Sequence, residues 1–130
     1  MQPTQMLHAA LLVSDLPRAE AFYAGILGLR KIERSLSYAG AWYALGEAQI
    51  HLIVSDQLKA DGLGSGEPQP ADAHPKWGRR PHLAIAIPDL EAAIAHLNRA
   101  GCPIQMSASG RRALFAQDPD GNVIELTEQR

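Results

Sequence analysis

Three histidines and one glutamate stand at positions where they could bind a divalent metal ion. His8 lies 74 positions before His82 (82 − 8), and His51 lies 74 positions before Glu125 (125 − 51). Zinc, nickel, iron(II), manganese and cobalt all accept imidazole nitrogen and carboxylate oxygen as ligands. A metal ion held in this way keeps open positions and can act on a substrate oxygen as a Lewis acid. The four residues therefore predict a metal centre, in which His51 or Glu125 could also act as a base.

Each of these residues lies in a short apolar run that is typical of a β-strand. Because strand side chains alternate between two faces, His8 shares a face with Ala10, and His82 shares one with Ala84. The opposite face of each strand carries bulky aliphatic residues, which suits packing under a helix. The small residues beside the histidines leave space and indicate a concave, cavity-lining face.

The predicted elements follow the order strand, helix, three strands, and this order occurs twice. The helices begin after Asp15 and Asp89, whose side chains can cap exposed backbone amides, and they end at glycines. Gly46-Glu47 and Asp120-Gly121 stand between strands and predict hairpins. The predicted strands are Met6–Val13, Leu29–Ser35, Ala41–Leu45, Gln49–Val54, His82–Ile87, Ile104–Met106, Arg112–Gln117 and Val123–Thr127.

The two halves also match at a constant offset of 74 residues, at which Asp15 aligns with Asp89 and Ile50 aligns with Ile124. Several matches at one offset, in the same order of elements, indicate an internal duplication. The sequence predicts one α+β domain over residues 1–130, with modules at 5–54 and 82–127. The linker at 55–81 is longer than most connections inside a compact domain.

Composition excludes several classes of protein. The 130 residues suit one small domain, and a net charge of −2 spread along the chain argues against nucleic acid or an anionic membrane as partner. The single cysteine, Cys102, cannot form an internal disulfide. Since no apolar run suits a signal peptide or a membrane span, we expect a cytoplasmic protein.

Four further residues are candidates for contact with a substrate. They are Trp42 and Tyr43 on the third predicted strand, and Arg112 and Phe115 on the seventh. Aromatic rings at such positions are also common in cores, and arginines are commonly solvated charges. Weaker candidates in the linker are Trp77, Arg79 and Arg80.

Several short motifs in both halves carry a family resemblance. They are Leu7-His8, Val13-Ser14-Asp15-Leu16, Phe22-Tyr23, Leu27-Gly28-Leu29, His82-Leu83-Ala84-Ile85, Asp89-Leu90, and the turn Asp118-Pro119-Asp120-Gly121-Asn122 leading into Val123-Ile124-Glu125-Leu126. With these motifs, the sequence resembles the vicinal-oxygen-chelate superfamily, which includes glyoxalase I, bleomycin-resistance proteins, fosfomycin-resistance enzymes and extradiol dioxygenases. The resemblance covers nearly the whole chain.

The resemblance implies two βαβββ modules whose sheets form a cup around a divalent metal ion. The ligands would come from the first and last strand of each module, which gives His8, His51, His82 and Glu125. A small substrate would chelate the metal through neighbouring oxygens. Since barrels in this superfamily can combine modules of two chains, the resemblance also implies a homodimer with sites at or near the interface.

The resemblance leaves the reaction open. Glyoxalase I enzymes usually have a glutamate where this chain has His51, and some carry an arginine near the position of Leu12. Fosfomycin-resistance enzymes and dioxygenases use two histidines and a carboxylate, so that His51 would be a fourth ligand or an acid/base group. The resemblance is therefore compatible with lyase or isomerase chemistry and with dioxygenase chemistry. The alternative is a protein that sequesters a drug or metabolite without turnover, although bleomycin-binding relatives lack the metal ligands kept here.

Overall fold

The chain forms two four-stranded mixed sheets, one in each half. The computed structural model describes residues 1–60 and 76–129, and the chain divides into the units Met1–Ser65 and Gly66–Arg130. The first unit contains β1 (His8–Val13), α1 (Leu16–Glu20) with a π-helical continuation (Ala21–Ile26), β2 (Arg30–Ile32), β3 (Gly40–Leu45), β4 (Ala48–Val54) and α2 (Asp56–Ala60). The second contains a 3₁₀ turn (Trp77–Arg79), β5 (His82–Ile87), α3 (Leu90–Arg99), β6 (Ile104–Met106), β7 (Ala113–Gln117) and β8 (Val123–Glu128).

Both sheets have the same strand order, β1-β4-β3-β2 in the first unit and β5-β8-β7-β6 in the second. The first and last strands of each unit pair in parallel, and the other pairs are antiparallel. Ala10 lies beside His51 on β1 and β4, and Ala84 lies beside Glu125 on β5 and β8. These two pairs are offset by 74 residues, so the structure confirms the α+β class and the repeated order of elements.

The first helix begins where the sequence predicts and changes its hydrogen bonding before it ends. The Asp15 carboxylate caps it by accepting from the Arg18 amide at 2.9 Å. From Ala21 onward the helix widens, and the Leu27 amide donates at 2.8 Å to the Phe22 carbonyl, five residues earlier. The positive φ of Gly28, 74°, then ends the helix, as glycine allows. The sequence pattern predicted the helix but not its π-helical part.

The second helix is tied to its sheet at its start. Asp89 caps it by accepting from the Ala92 amide at 3.0 Å. Glu128, at the end of β8, accepts from the Leu90 amide at 2.8 Å. The Arg112 side chain donates to the same Glu128 carboxylate at 2.6 Å. Burial of Leu90 and Leu97 completes the contact of the helix with the rest of the unit.

The segment predicted as a linker contains regular structure at both of its ends. Helix α2 occupies Asp56–Ala60, and the 3₁₀ turn occupies Trp77–Arg79. Trp77 is fully buried and packs with Phe115 and Val123, so the end of the segment belongs to the core of the second unit. Elements this short carry no apolar periodicity, which is why the sequence did not predict them. Residues 61–75 lie outside the described part of the chain.

No helix in residues 1–60 or 76–129 is long and apolar enough to cross a membrane.

A partly buried hydrogen-bond network joins the first helix to the sheet. The Tyr43 hydroxyl is buried and donates to Glu20 Oε2 at 2.7 Å, and Lys31 Nζ lies 2.9 Å from the same oxygen. Burial raises the pKa of Glu20, but the hydrogen bonds from Tyr43 and Lys31 outweigh burial and hold the pKa below its usual 4.5. The network therefore contains a carboxylate at neutral pH.

The substitution Tyr43→Phe removes the hydrogen bond to this carboxylate without changing the volume of the ring. A hydrogen bond to a charged group contributes about 1.5–3 kcal/mol, so the free energy of unfolding should fall by about that amount. Urea unfolding followed by circular dichroism measures the change. Tyr38→Phe is the matched control, because Tyr38 is 49% exposed and should change stability by less than about 0.5 kcal/mol. Equal losses in the two variants would contradict the assignment.

The same network predicts how stability depends on pH. Because the folded-state pKa of Glu20 lies below 4.5, its stabilising effect is complete above the pKa of the unfolded chain and is lost as the pH falls through the folded-state value. The stability difference between the wild type and Tyr43→Phe should stay constant over about pH 5–8 and shrink at lower pH. Urea titrations at several pH values test this, and a difference that grows toward acid would show the reverse sign.

Candidate functional site

In the first unit, the two predicted ligands lie in contact on one face of the sheet. The rings of His8 and His51 are stacked, with centroids 3.9 Å apart and planes inclined by 15°. The indole of Trp42 also stacks on His51, at 4.2 Å and 8°. Since β4 lies between β1 and β3, His51 forms the middle layer of three stacked rings. This stacking holds the imidazole plane of His51 in one orientation.

The surroundings of His51 favour its neutral form. Burial lowers the pKa of His51, and the nearby charges of His8 and Arg34 lower it further. His51 Nε2 lies 2.8 Å from Gln49 Oε1, an acceptor, so the proton belongs on Nε2 and the lone pair on Nδ1. A neutral imidazole with a defined lone pair can bind a metal ion or accept a proton.

In the second unit, His82 and Glu125 form the other pair. His82 Nε2 lies 3.7 Å from Glu125 Oε1. His82 Nδ1 lies 2.7 Å from the carbonyl oxygen of Arg80, which can only accept, so Nδ1 carries a proton that it donates. In the neutral ring the lone pair is then on Nε2, beside the carboxylate. This is the hydrogen-bonding pattern that orients histidine ligands in metal sites.

Glu125 is a buried carboxylate with a hydrogen-bond donor on each oxygen. Its Oε1 accepts from Arg111 Nη2 at 3.0 Å, and its Oε2 accepts from the Thr127 hydroxyl at 2.7 Å. Burial raises the pKa of Glu125, but the donors Thr127 and Arg111, with the charges of Arg111 and His82, hold the pKa below 4.5. Glu125 is therefore ionised at neutral pH, which is the form that binds a metal.

Each unit thus brings one predicted pair of ligands together, His8 with His51 and His82 with Glu125. The chemistry of these donors fits a divalent ion, because the pairs offer imidazole nitrogens and an ionised carboxylate. Over residues 1–60 and 76–129, no group of three or more histidine, cysteine, aspartate or glutamate side chains is arranged to hold a metal ion. A single centre made of all four residues stays a prediction.

The candidate substrate residues divide by strand face. Trp42 stacks on His51, and the Phe115 ring meets His82 edge to face with centroids 5.4 Å apart. Tyr43 is buried on the opposite face of β3, where it contacts Glu20 on the first helix. Arg112 likewise points to the helix side, where it pairs with Glu128 and Glu91. Neither Tyr43 nor Arg112 lies with a ligand pair.

Arg111, rather than its neighbour Arg112, lies beside a predicted ligand. Its guanidinium bridges Glu125 Oε1 and, through Nε, the Ser109 hydroxyl at 3.0 Å. The sequence contained a signal for this. Arg111 precedes Phe115 by four residues, and the alternation of β7 counted back beyond its first residue places Arg111 on the Phe115 face and Arg112 on the other.

A cavity of about 460 Å³ lies in the second unit and connects with this ligand pair. Two of its lining residues touch the pair directly, since Arg111 bonds to Glu125 and Phe115 contacts His82. We call it the basic pocket. It is lined by Lys76, Gly78, Arg79, Gln105, Met106, Ser107, Ala108, Ser109, Arg111 and Phe115.

The repeated strand–helix–three-strand units, with a pair of polar side chains on the first and last strand of each, define a two-module α+β protein. Residues 5–126 match the Glyoxalase/Bleomycin resistance protein/Dioxygenase superfamily, and the chain belongs to that superfamily. The resemblance described from the sequence is thereby confirmed.

Individual relatives span almost the whole chain. A lactoylglutathione lyase of Salmonella typhimurium is 25% identical over an alignment of 139 positions, gaps included, which covers 97% of this chain and 93% of the relative. The fosfomycin resistance protein FosX of Listeria monocytogenes superposes with a TM-score of 0.69 at 17% identity, covering 99% of this chain and 96% of that one. A superfamily member from Sphaerobacter thermophilus superposes with a TM-score of 0.65 at 22% identity, covering 98% of each chain.

Gly78 packs closely against the Phe115 ring, and a substitution at Gly78 tests whether this contact fixes the position of that ring in the pocket lining. A Cβ added at Gly78 would lie 2.7 Å from Phe115 Cζ, so Gly78→Ala should displace the ring and cost about 1–3 kcal/mol of stability. Gly25→Ala is the matched control, because a Cβ there meets no atom within 4 Å and alanine favours a helix. Urea unfolding compares the free energies of unfolding of the two variants. If Gly78→Ala were as stable as Gly25→Ala, the contact would not constrain the pocket.

Proposed function

We propose that this protein is a divalent-metal-dependent enzyme of the glyoxalase/dioxygenase type. Its substrate is a small molecule that chelates the metal through neighbouring oxygens. The observation that carries the proposal is the repeated ligand pair, His8 with His51 and His82 with Glu125, at equivalent positions of two sheets. Unrelated polar residues on strands have no reason to recur in contact at the same register.

The hydrogen bonds around the pairs support their role as ligands. The Arg80 carbonyl directs the His82 lone pair to Nε2, and Gln49 directs the His51 lone pair to Nδ1. Such second partners fix ring orientation in metal sites and account for about 10- to 100-fold in metal affinity. Because its pKa is lowered, Glu125 is already ionised at neutral pH and need not lose a proton when a metal ion binds. When bound, a divalent ion supplies Lewis-acid stabilisation of a developing oxyanion.

The two residues proposed for proton transfer are not equivalent. Glu125 is stabilised as an anion by Arg111 and Thr127, which makes it a weak base and a suitable ligand. His51 is neutral and has one stacked, fixed orientation, so it is the better proton acceptor. We therefore assign Glu125 to binding, and His51 to binding or to proton transfer. Trp42 and Phe115 would contact the substrate beside the two pairs.

Metal analysis tests the ligand set. Protein purified without chelating resin should contain nickel, zinc, manganese, cobalt or iron, and its melting temperature should rise when the ion is added. His82→Ala and Glu125→Gln should each weaken binding by at least about 10- to 100-fold, the loss expected from an orienting partner alone. His96→Ala is the matched control, because His96 is exposed on α3, away from the pairs. Protein without metal and without thermal stabilisation would refute the proposal.

Activity assays separate the reaction types. Because a relative is named lactoylglutathione lyase, the first assay is methylglyoxal with and without glutathione. Oxygen consumption with a catechol and iron(II) tests the dioxygenase alternative. A protein that only sequesters its ligand would keep ligand-induced thermal stabilisation in the double variant His8→Ala/Glu125→Ala. A metal-dependent enzyme of the proposed kind would lose metal and activity in that variant.

The oligomeric state of the metal-loaded protein tests the homodimer that the resemblance implies, because the metal stoichiometry does not. Four ligands from one chain and four ligands shared between two chains both give one ion per chain, but only the shared site requires a dimer. Sedimentation of the metal-loaded protein and of Glu125→Gln therefore distinguishes the two arrangements.

A further inference from the structure

The stacked arrangement of His8 and His51 does not let both rings bind the same metal ion. An imidazole binds an ion along a nitrogen lone pair, in the plane of the ring, at about 2.0–2.1 Å. The two ring centroids are 3.9 Å apart and the ring planes are inclined by only 15°. No point near the two rings therefore lies in both planes, and a shared ion would be displaced from the lone-pair direction of at least one ring.

The strand register nevertheless places the two histidines close enough to share an ion. His8 pairs with Gln49 and Ala10 pairs with His51, so the histidines are diagonal neighbours on one face of β1 and β4. The small side chain of Ala10 lies on the same face and leaves space beside the rings. Rotation of one ring about its side-chain bonds can therefore bring the two lone pairs toward a common point while the sheet stays as it is.

His8 is the ring that can rotate at the lower cost. It is the first residue of β1 and is exposed, and exposed side chains change rotamer within picoseconds to nanoseconds. His51 is held on both faces, by His8 and by Trp42, and at one edge, where Nε2 lies 2.8 Å from Gln49 Oε1. Rotation of His8 breaks one stacking contact, whereas rotation of His51 breaks two stacking contacts and a hydrogen bond.

We propose that His8 leaves the stack when the first unit binds a divalent ion, while Trp42 and Gln49 keep His51 in place. This inference rests on the proposed function, since it concerns one of the same ligand pairs. His8 is then the ligand that moves, and Trp42 and Gln49 are positioning residues that act through His51. The stack opposes binding by about twofold to tenfold in affinity, because one contact between aromatic rings is lost.

Nuclear Overhauser effects between ring protons report on the stack directly. At about pH 8, above the ordinary histidine pKa, the metal-free protein should show contacts between the His8 and His51 rings and between the His51 and Trp42 rings. Addition of Zn²⁺, which is diamagnetic, should strongly weaken the contact between His8 and His51 and leave that between His51 and Trp42. Mg²⁺ is the control ion, because it prefers oxygen ligands and should change neither contact.

Two substitutions at Trp42 test whether this ring positions His51. Trp42→Leu keeps an apolar side chain but removes the stacked ring, so Zn²⁺ affinity should fall by about 10- to 100-fold, the loss typical of an orienting partner. Trp42→Phe keeps a flat ring against the imidazole and should restore the affinity to within about threefold of the unsubstituted protein. Calorimetry measures both affinities, and circular dichroism shows whether both variants fold. The experiment on the unsubstituted protein does not depend on either variant.

Three results would overturn the inference and leave the metal centre intact. The contact between His8 and His51 could persist unchanged while calorimetry shows that Zn²⁺ binds. Zn²⁺ could instead weaken the contact between His51 and Trp42, which would make His51 the ring that moves. Equal affinities of Trp42→Phe and Trp42→Leu would remove Trp42 as a positioning residue. Failure of Zn²⁺ to bind at all is a separate result, since it would refute the proposed function and the movement of His8 together.

Discussion

Parallel pairing between the first and last strand of each unit is the constraint on which the candidate site depends. The register places Ala10 beside His51 and Ala84 beside Glu125, so each of these predicted ligands has a small neighbour that leaves space on its face. Because side chains alternate, a slip of one residue would turn His51 and Glu125 toward the helices and bury them there. The aliphatic residues on the other face oppose that slip, since they would lose their burial.

The two units share this strand pairing but orient their predicted ligand pairs by different interactions. The first orients its ligand pair by ring stacking, with His51 between His8 and Trp42. The second orients its pair by charge, with Glu125 held by Arg111 and Thr127. Stacking constrains a neutral base in a fixed plane, whereas ion pairing stabilises an anion. A duplicated architecture has in this way acquired two chemically distinct halves, and the basic pocket adjoins the pair of the second.

Much of the fold could be predicted, as could the contact of His8 with His51 and of His82 with Glu125, because both depend on local pattern and on a repeat. The metal-binding role of these pairs stays a prediction. All eight strands and both longer helices lie where apolar periodicity and capping residues place them. The predicted substrate residues divide between the two strand faces, and their role stays a prediction. Alternation along β3 separates Trp42 from Tyr43, and the same alternation counted back from the start of β7 separates Arg111 from Arg112. Tyr43 and Arg112 lie on the helix side. The helix at Asp56–Ala60 and the turn at Trp77 gave no periodic signal.

The sequence by itself determined the duplicated α+β organisation and the four residues with ligand chemistry, since these follow from spacing along the chain. Tertiary structure decided their electrostatic state. Glu125 is an anion because Arg111, fourteen residues away, and Thr127 reach its oxygens. The basic pocket exists because the turn at Trp77 packs on Phe115 and brings Lys76 and Arg79 opposite the β6–β7 turn. The contacts of Arg111 with Glu125 and of Trp77 with Phe115 join residues distant in sequence, and no local propensity encodes them.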